Sequence, residues 1–230
     1  MKKIKDCHIG IILDGNRRWA LEKGSKPYQG HKKGLETAKK AIEHAYKRGL
    51  GMLTLFVFST ENWKRPKLEV DFLMGLIEEF FNKEFKKNKE GDIFKGIKVK
   101  MIGQREKFSK KINRIIDQIE KTTQDNKGMI LNIALSYGGR MEIVEIIKKA
   151  VKDSISEKEI TEEYVEKNLS IPDMDLIIRT GKEKRLSNFF IWQAAYSELY
   201  FLDKYWPEFN ESDFDKALDY YESRQRRFGS

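Results

Sequence analysis

Asp14-Gly15-Asn16-Arg17-Arg18-Trp19 follows directly on a short apolar run, Ile9 to Leu13. A carboxylate beside a glycine and two arginines sets a hard oxygen ligand next to strong anion donors. Magnesium takes one or two carboxylates and completes its shell with water and substrate phosphate oxygens. Arginine grips phosphate with a two-pronged fork, and the N–H groups of a Gly-containing turn add donors without bulk. The hexapeptide therefore suits a phosphorylated ligand held with magnesium. Its plain alternative is an ordinary Asp-Gly turn flanked by surface arginines. It does not match the G-x-x-x-x-G-K-[ST] phosphate loop.

Three further segments pair apolar runs with the same chemistry. Leu53 to Val57 leads into Phe58-Ser59-Thr60-Glu61-Asn62-Trp63 and then Lys64-Arg65-Pro66, more functional groups than a connector needs. Another run ends in Ser136-Tyr137-Gly138-Gly139-Arg140, and another in Arg179-Thr180-Gly181, with Arg185, Ser187 and Asn188 close behind. Glu198 opens one more run and offers a second carboxylate. Other patterns carry less. Asp173-Met174-Asp175 resembles a D-x-D metal motif but precedes its strand, and His8, His31, His44 and Cys7 lack zinc spacing. No G-x-S-x-G nucleophile elbow occurs.

The elements that must carry these groups alternate. Strands are expected at His8–Leu13, Met52–Phe58, Lys98–Ile102, Met129–Ala134, Leu176–Arg179 and Glu198–Phe201. Helical periodicity appears in Leu35, Ala38, Ile42, Ala45 and Tyr46, stopped by Gly49, and again from Leu68 to Phe81. It recurs in Phe108 to Ile119 and in Ile143, Ile147, Ala150 and Val151, and a last helix follows Ser212. This alternation predicts an α/β fold: one domain over residues 1–230, with a mostly parallel sheet of about six strands flanked by helices. Ligands of such sheets bind at the carboxyl ends of the strands.

Composition bounds the function. The 230 residues are 40% hydrophobic and 35% charged, which excludes a disordered chain. No run is long enough to cross a membrane. A single cysteine, Cys7, and the absence of a signal-like apolar stretch point to the cytoplasm. The net charge of +9 fits phosphorylated small molecules, an anionic membrane surface or nucleic acid. Mixed charge along helix faces, without a basic block, predicts only weak and salt-sensitive nucleic-acid binding.

Taken together, the Asp14 to Trp19 motif, Gly30-His31, Phe58 to Trp63 with Arg65-Pro66, Asn132 to Arg140, Asp175 to Gly181 and Ser197-Glu198-Leu199-Tyr200 resemble the cis-prenyltransferase (isoprenyl transferase) family, of the undecaprenyl diphosphate synthase type. The resemblance runs from His8 to the Arg226-Arg227-Phe228-Gly229 ending. It implies a homodimer that condenses isopentenyl diphosphate onto an allylic diphosphate, farnesyl diphosphate, in magnesium-dependent steps. The product implied is undecaprenyl diphosphate, the precursor of a lipid carrier for cell-wall polysaccharide.

By the same resemblance Asp14 is catalytic and a magnesium ligand, with Glu198 a second ligand. Gly15, Asn16, Arg17, Arg18, Trp19 and His31 hold the allylic diphosphate. Arg179, Arg185, Leu186 and Ser187 hold isopentenyl diphosphate. Ser59, Thr60, Glu61, Asn62, Trp63 and Arg65 form a closing loop in which Asn62 serves proton removal; because an amide is a poor base, we expect it to orient an oxygen that takes the proton. The Arg227-x-Gly229 ending is expected to reach the site across the dimer. Where the family commonly carries an arginine, four residues before the histidine, this chain has Pro27, and Lys26 can supply the charge as a point donor.

A long apolar product needs a dry channel, and the stripe from Leu68 to Phe81 is wider than sheet packing demands. Leu73, Leu76, Ile77 and Phe80 are expected to line it. The chain contains no Asp-Asp pair, so the DDxxD motif of helical trans-prenyltransferases is absent. A different product length and a non-catalytic binding partner are the alternatives. A lipid product implies transient membrane contact.

Overall fold

The computed structural model describes residues 3–86 and 94–224. Six strands form one sheet: β1 (His8–Ile12), β2 (Met52–Ser59), β3 (Lys98–Ile102), β4 (Ile130–Tyr137), β5 (Leu176–Arg179) and β6 (Glu198–Phe201). Their order is β3-β4-β2-β1-β5-β6, and every neighbouring pair is parallel. The helices are α1 (Asn16–Glu22), α2 (Pro27–Lys47), α3 (Lys67–Lys86), α4 (Lys110–Thr123), α5 (Gly139–Lys152), α6 (Glu162–Asn168) and α7 (Glu211–Ser223).

Burial on both faces explains why the strands read as near-continuous apolar runs. All five residues of β1 are buried. Ile9, Ile11, Leu53, Leu55 and Leu131 belong to one core with Ala41 and Ile42 of α2, Ile77 of α3, Ile116 of α4 and Phe214 of α7. Ile12, Phe56, Ala134 and Ile177 belong to a second, with Phe189 and Phe190 of the long β5–β6 connection. Gly10 is needed here, since a Cβ would stand 2.6 Å from Met174 Sδ.

Several elements depart from the sequence expectation. The chain after β1 is not a simple turn: α1 begins at Asn16, and its seven residues are too few to show a period. Strand β4 continues to Tyr137, so Ser136-Tyr137 lies in the sheet. It follows β2 through register shifts near Phe58, which lengthen both strands at the carboxyl end. On α5 the expected apolar face is partly wrong: Ile146 and Ala150 are buried, whereas Ile147 and Val151 face solvent with Val144. Helix α6 has no counterpart among the expected elements.

Polar groups inside the sheet's amino half are fully engaged. His8 Nδ1 faces the carbonyl oxygens of Pro172 and Asp173 at 3.2 and 3.0 Å, so it carries the ring proton. Its Nε2 meets Thr54 Oγ1 at 2.7 Å, and Asn132 Nδ2 donates to the same oxygen at 3.0 Å. Asp175 Oδ2 accepts from His8 N at 2.9 Å, and Tyr221 OH approaches Asp175 Oδ1 at 3.4 Å. Asp175 is thus a structural carboxylate at the end remote from Asp14.

Candidate active site

Asp14 stands two residues past β1 at the carboxyl end of the sheet. Its backbone oxygen accepts from Thr180 Oγ1 at 2.8 Å and from Trp206 N at 3.0 Å, which pins the loop. Gly15 has φ +105°, a left-handed conformation that a side chain would oppose, and a Cβ there would stand 2.5 Å from the Tyr205 ring. Helix α1 then packs tightly on α2. A Cβ on Gly30 would sit 1.9 Å from the Asn16 carbonyl oxygen, and one on Gly34 2.1 Å from Asn16 Oδ1. This close approach places His31 beside Asn16.

A cavity of about 280 Å³ opens here, lined among others by Asp14, Asn16, His31, Ser59, Asn62, Arg65, Leu73, Arg179, Arg185 and Ser187. The structure thus gathers these ten expected residues from the loop after β1, α1, α2, the end of β2, the β2–α3 loop, α3, β5 and the β5–β6 connection. Arg18 Nη2 donates to Asp14 Oδ1 at 2.9 Å, and the buried Arg179 donates from Nη2 to Asp14 Oδ2 at 2.7 Å. Arg179 Nη1 donates to Ser187 Oγ at 2.9 Å and to the Arg185 carbonyl.

Two carboxylates absent from the sequence expectation complete the network. Glu183 pairs with Arg18 at 3.0 Å and Arg185 at 2.6 Å. Glu69, on the first turn of α3, pairs with Arg65 at 3.0 Å and Arg17 at 3.8 Å. Five guanidiniums thus share three carboxylates. Glutamates on a helix and in a charged loop look like solvated surface in a sequence; their partners' positions alone reveal them.

His31 is held neutral. Burial, then the charges of Arg65 and Arg17, lower its pKa to about 4 against the opposing pull of Glu69. Its Nε2 and Asn16 Oδ1 are buried without a hydrogen-bond partner among the described residues. Asn16 Nδ2 donates to the Leu13 carbonyl at 3.1 Å.

The β2–α3 loop is a short 3₁₀ turn, Thr60–Lys64. Asn62 Oδ1 accepts from Ser59 N at 3.0 Å, so its amide nitrogen is the end left to face other groups. Trp63 belongs to the same turn. It turns inward: its Nε1 donates to Ser136 Oγ at 2.8 Å and its ring packs on Phe58 and Phe108. Thr60 and Glu61 lie outside the cavity lining, where Asn188 Nδ2 donates to Glu61 Oε1 at 2.9 Å. Asn188 Oδ1 also accepts from Arg140 N at 2.8 Å, joining three loops. Ser187, Asn188 and Phe190 all have positive φ, a strained run held by these bonds.

Gly15, Arg17, Arg18 and Trp19 flank the cavity without lining it; Leu186 packs on the second core. Lys26 is exposed and caps α2 through its backbone, while Pro27 fills the first helical position, which suits proline. Leu73, Leu76 and Ile77 line a narrow chamber of about 50 Å³ that also touches Leu13 and His31, and Phe80 borders an outer groove between α2 and α3.

Glu198 stands apart from Asp14 within one chain. It is level with Leu176, and Leu176 with Ile9. That row lies three residues, roughly 10 Å, below Ile12 and Arg179, and β6 is two strands away from β1. The first residue of a parallel strand is at the wrong end, so one chain cannot offer Asp14 and Glu198 to the same ion. Glu198 Oε2 instead accepts from Arg224 Nε at 3.3 Å. The expected Arg227 and Gly229 contacts lie outside the described residues.

The donor set suits magnesium in one form. Among the described residues no three acidic, imidazole or thiol side chains gather into a cage. A lone half-buried carboxylate ringed by arginines fits an ion that draws most of its ligands from phosphate and water. Asp14 would hold it once the two guanidiniums turn to the phosphates.

The chain matches the Prenyltransf family model, described as "Putative undecaprenyl diphosphate synthase", over residues 12–229. It is 45% identical over 229 residues to the ditrans,polycis-undecaprenyl-diphosphate synthase ((2E,6E)-farnesyl-diphosphate specific) of Buchnera aphidicola subsp. Schizaphis graminum, covering 96% of this chain and 90% of that protein. It is 44% identical to the isoprenyl transferase of Aquifex pyrophilus, covering 96% and 95%. Among solved structures, lavandulyl diphosphate synthase from Lavandula x intermedia in complex with dimethylallyl diphosphate superposes with a TM-score of 0.89 at 36% identity, covering 97% and 98%. A "probable undecaprenyl diphosphate synthase" from Campylobacter jejuni gives 0.82 at 31%, covering both chains completely.

Proposed function

Since the chain belongs to the undecaprenyl diphosphate synthase family of prenyltransferases, we propose that it extends farnesyl diphosphate with isopentenyl diphosphate, in cis steps, to undecaprenyl diphosphate, the precursor of a cell-wall lipid carrier. The observation that carries this assignment is the Asp14 carboxylate, gripped from two sides by Arg18 and Arg179 at the mouth of the cavity. The farnesyl-diphosphate-specific Buchnera relative supports the primer.

Allylic C–O cleavage loads negative charge onto the departing diphosphate. Groups that bind this charge more strongly than the ground state lower the barrier. Arg17, Arg18 and the N–H groups of Gly15 and Asn16 take that diphosphate, and neutral His31 donates from its unpartnered Nε2. Trp19 supports α1 behind them, and Lys26 adds charge at the rim. Magnesium, held by Asp14, supplies further neutralisation of phosphate charge. Arg179, Arg185 and Ser187, on the Leu186 backbone, fix isopentenyl diphosphate so that its double bond faces the allylic carbon. The new C–C bond leaves a cation that must lose a proton. The Asn62 amide nitrogen orients the diphosphate oxygen that accepts it, while Ser59, Thr60, Glu61, Trp63 and Arg65 carry the loop that closes over both substrates. Leu73, Leu76, Ile77 and Phe80 receive the growing chain.

Two copies are proposed to associate through the solvent-facing apolar stripe of Val144, Ile147 and Val151 on α5. No described helix is long and apolar enough to cross a membrane. We place the enzyme in the cytoplasm, meeting the membrane surface through its product. A shorter product is the alternative that the narrow chamber favours.

The test is incorporation of labelled isopentenyl diphosphate into solvent-extractable lipid, primed by farnesyl diphosphate, with chain length read by chromatography. Asp14→Ala and a chelator are each expected to cut incorporation at least about a hundredfold. Folded wild-type protein that makes no lipid would move the assignment to a non-catalytic partner.

A further inference from the structure

Lys182 follows Gly181 in the β5–β6 connection. A Cβ on Gly181 would stand 2.8 Å from Asp14 Cγ and 2.9 Å from Arg18 Nη2, so the chain touches that pair just before it reaches Lys182. Lys182 has φ +62°, a left-handed conformation that lysine seldom adopts. Its exposed side chain pairs with no carboxylate among the described residues, because neighbouring Glu183 serves Arg18 and Arg185 instead.

A ring holds it. Lys182 Nζ lies 4.6 Å from the centroid of Tyr205, and Arg18 Cζ lies 5.6 Å from the same centroid. Tyr205 is itself fixed: it is buried, its OH donates to Glu22 of α1, and Gly15 lies against its ring. The two cations are no more than about 10 Å apart, the range of a charge in physiological salt, so they repel one another. A π face holds an ammonium more weakly than a charged oxygen does. The lysine is therefore kept beside the Asp14–Arg18 pair by a partner it can leave. A diphosphate gripped by Arg18 relieves the repulsion and draws the ammonium off the ring.

We propose that Lys182 is a further residue that binds the allylic diphosphate, resting on Tyr205 between substrates and moving to a phosphate oxygen when Arg18 takes one. This inference rests on the prenyl-transfer assignment, and within it Tyr205 is a positioning residue.

Titration calorimetry with inorganic pyrophosphate reads the contact without turnover, and steady-state kinetics with farnesyl diphosphate reads it in the reaction. Lys182→Gly removes the ammonium and suits the backbone. It is expected to weaken pyrophosphate binding and to raise KM for farnesyl diphosphate, each about tenfold, with kcat reduced far less. In denaturant it is expected to unfold no earlier than the wild type. Tyr205→Leu loses the π face and is expected to weaken pyrophosphate about threefold, whereas Tyr205→Phe keeps the wild-type value. Most of the Tyr205→Leu effect is expected to vanish in the K182G background. Lys184→Ala, at an exposed lysine of the same loop, is expected to change neither affinity nor KM.

Unchanged pyrophosphate affinity in folded Lys182→Gly would overturn the proposal. An equal loss in Lys184→Ala would overturn it as a general charge effect, and earlier unfolding of Lys182→Gly would make the lysine structural. If Tyr205→Leu fails to fold, the two lysine variants decide the matter. Pyrophosphate binding that depends on Lys182, in a wild type that makes no lipid, would overturn prenyl transfer and leave the phosphate contact standing.

Discussion

The two ends of the sheet handle polar groups in opposite ways. At the amino end His8, Thr54, Asn132 and Asp175 are buried and joined to one another, to strand neighbours and to α7. At the carboxyl end five guanidiniums share three carboxylates, and His31 Nε2 and Asn16 Oδ1 lack partners among the described residues. Permanent partners make structure; shared and missing ones leave room for a ligand. Buried polarity alone therefore does not mark a site; unsatisfied groups gathered beside a cavity do.

Substitutions at the two ends should separate along that line. Arg179→Lys keeps the charge but loses the fork that reaches Asp14 and Ser187 together. Turnover with isopentenyl diphosphate is expected to fall about a hundredfold, a loss of about 2.7 kcal/mol in transition-state stabilisation, by steady-state kinetics. Near-wild-type kinetics would remove Arg179 from substrate binding. At the other end Thr54→Val strands His8 Nε2 and Asn132 Nδ2 in a buried site. Denaturant unfolding is expected to show a stability loss of about 2 kcal/mol, while the folded fraction keeps its activity. A larger loss of activity than of stability would break the comparison.

His31 supplies the most pH-dependent effect, one that vanishes at neutral pH. Its pKa near 4 lies below the ordinary value of 6.5, so between these values the unfolded chain binds more protons than the folded one. Stability is therefore complete above pH 6.5 and falls as pH drops toward 4, by about 2 kcal/mol at pH 5. His31→Gln is expected to flatten this part of the pH profile in chemical denaturation. An identical slope in both proteins would assign the acid sensitivity to another group.

Much of the carboxyl end was legible in the sequence because the reacting groups follow apolar runs directly. Asp14 follows Ile9–Leu13, and Arg179 ends Leu176–Arg179, so strand order alone brings them to one edge. The same logic does not bring Glu198 to that edge within one chain, because it begins its strand where the others end theirs. The inward turn of Trp63 was hidden because its chain neighbours are polar, whereas Phe58 and Phe108 offer its ring an apolar seat. Glu69 and Glu183 were illegible for a different reason: a carboxylate becomes part of the site only through arginines distant in the chain or across a loop. The exposed stripe on α5 was invisible to periodicity, which finds an apolar face but not what covers it.

The position of β1 also governs when the molecule can be completed during synthesis. Its neighbour β2 emerges soon after it, but β5, its other neighbour, is separated from it by most of the chain. A nascent polypeptide can assemble the β3-β4-β2-β1 half while one edge of β1 remains unpaired, a template for wrong association. Asp14 and Arg179 are 165 residues apart. Chains halted before β5 thus carry the carboxylate without its buried guanidinium and leave an open strand at the centre of the finished sheet. Ribosomal pausing in that interval would be more damaging than pausing after β6.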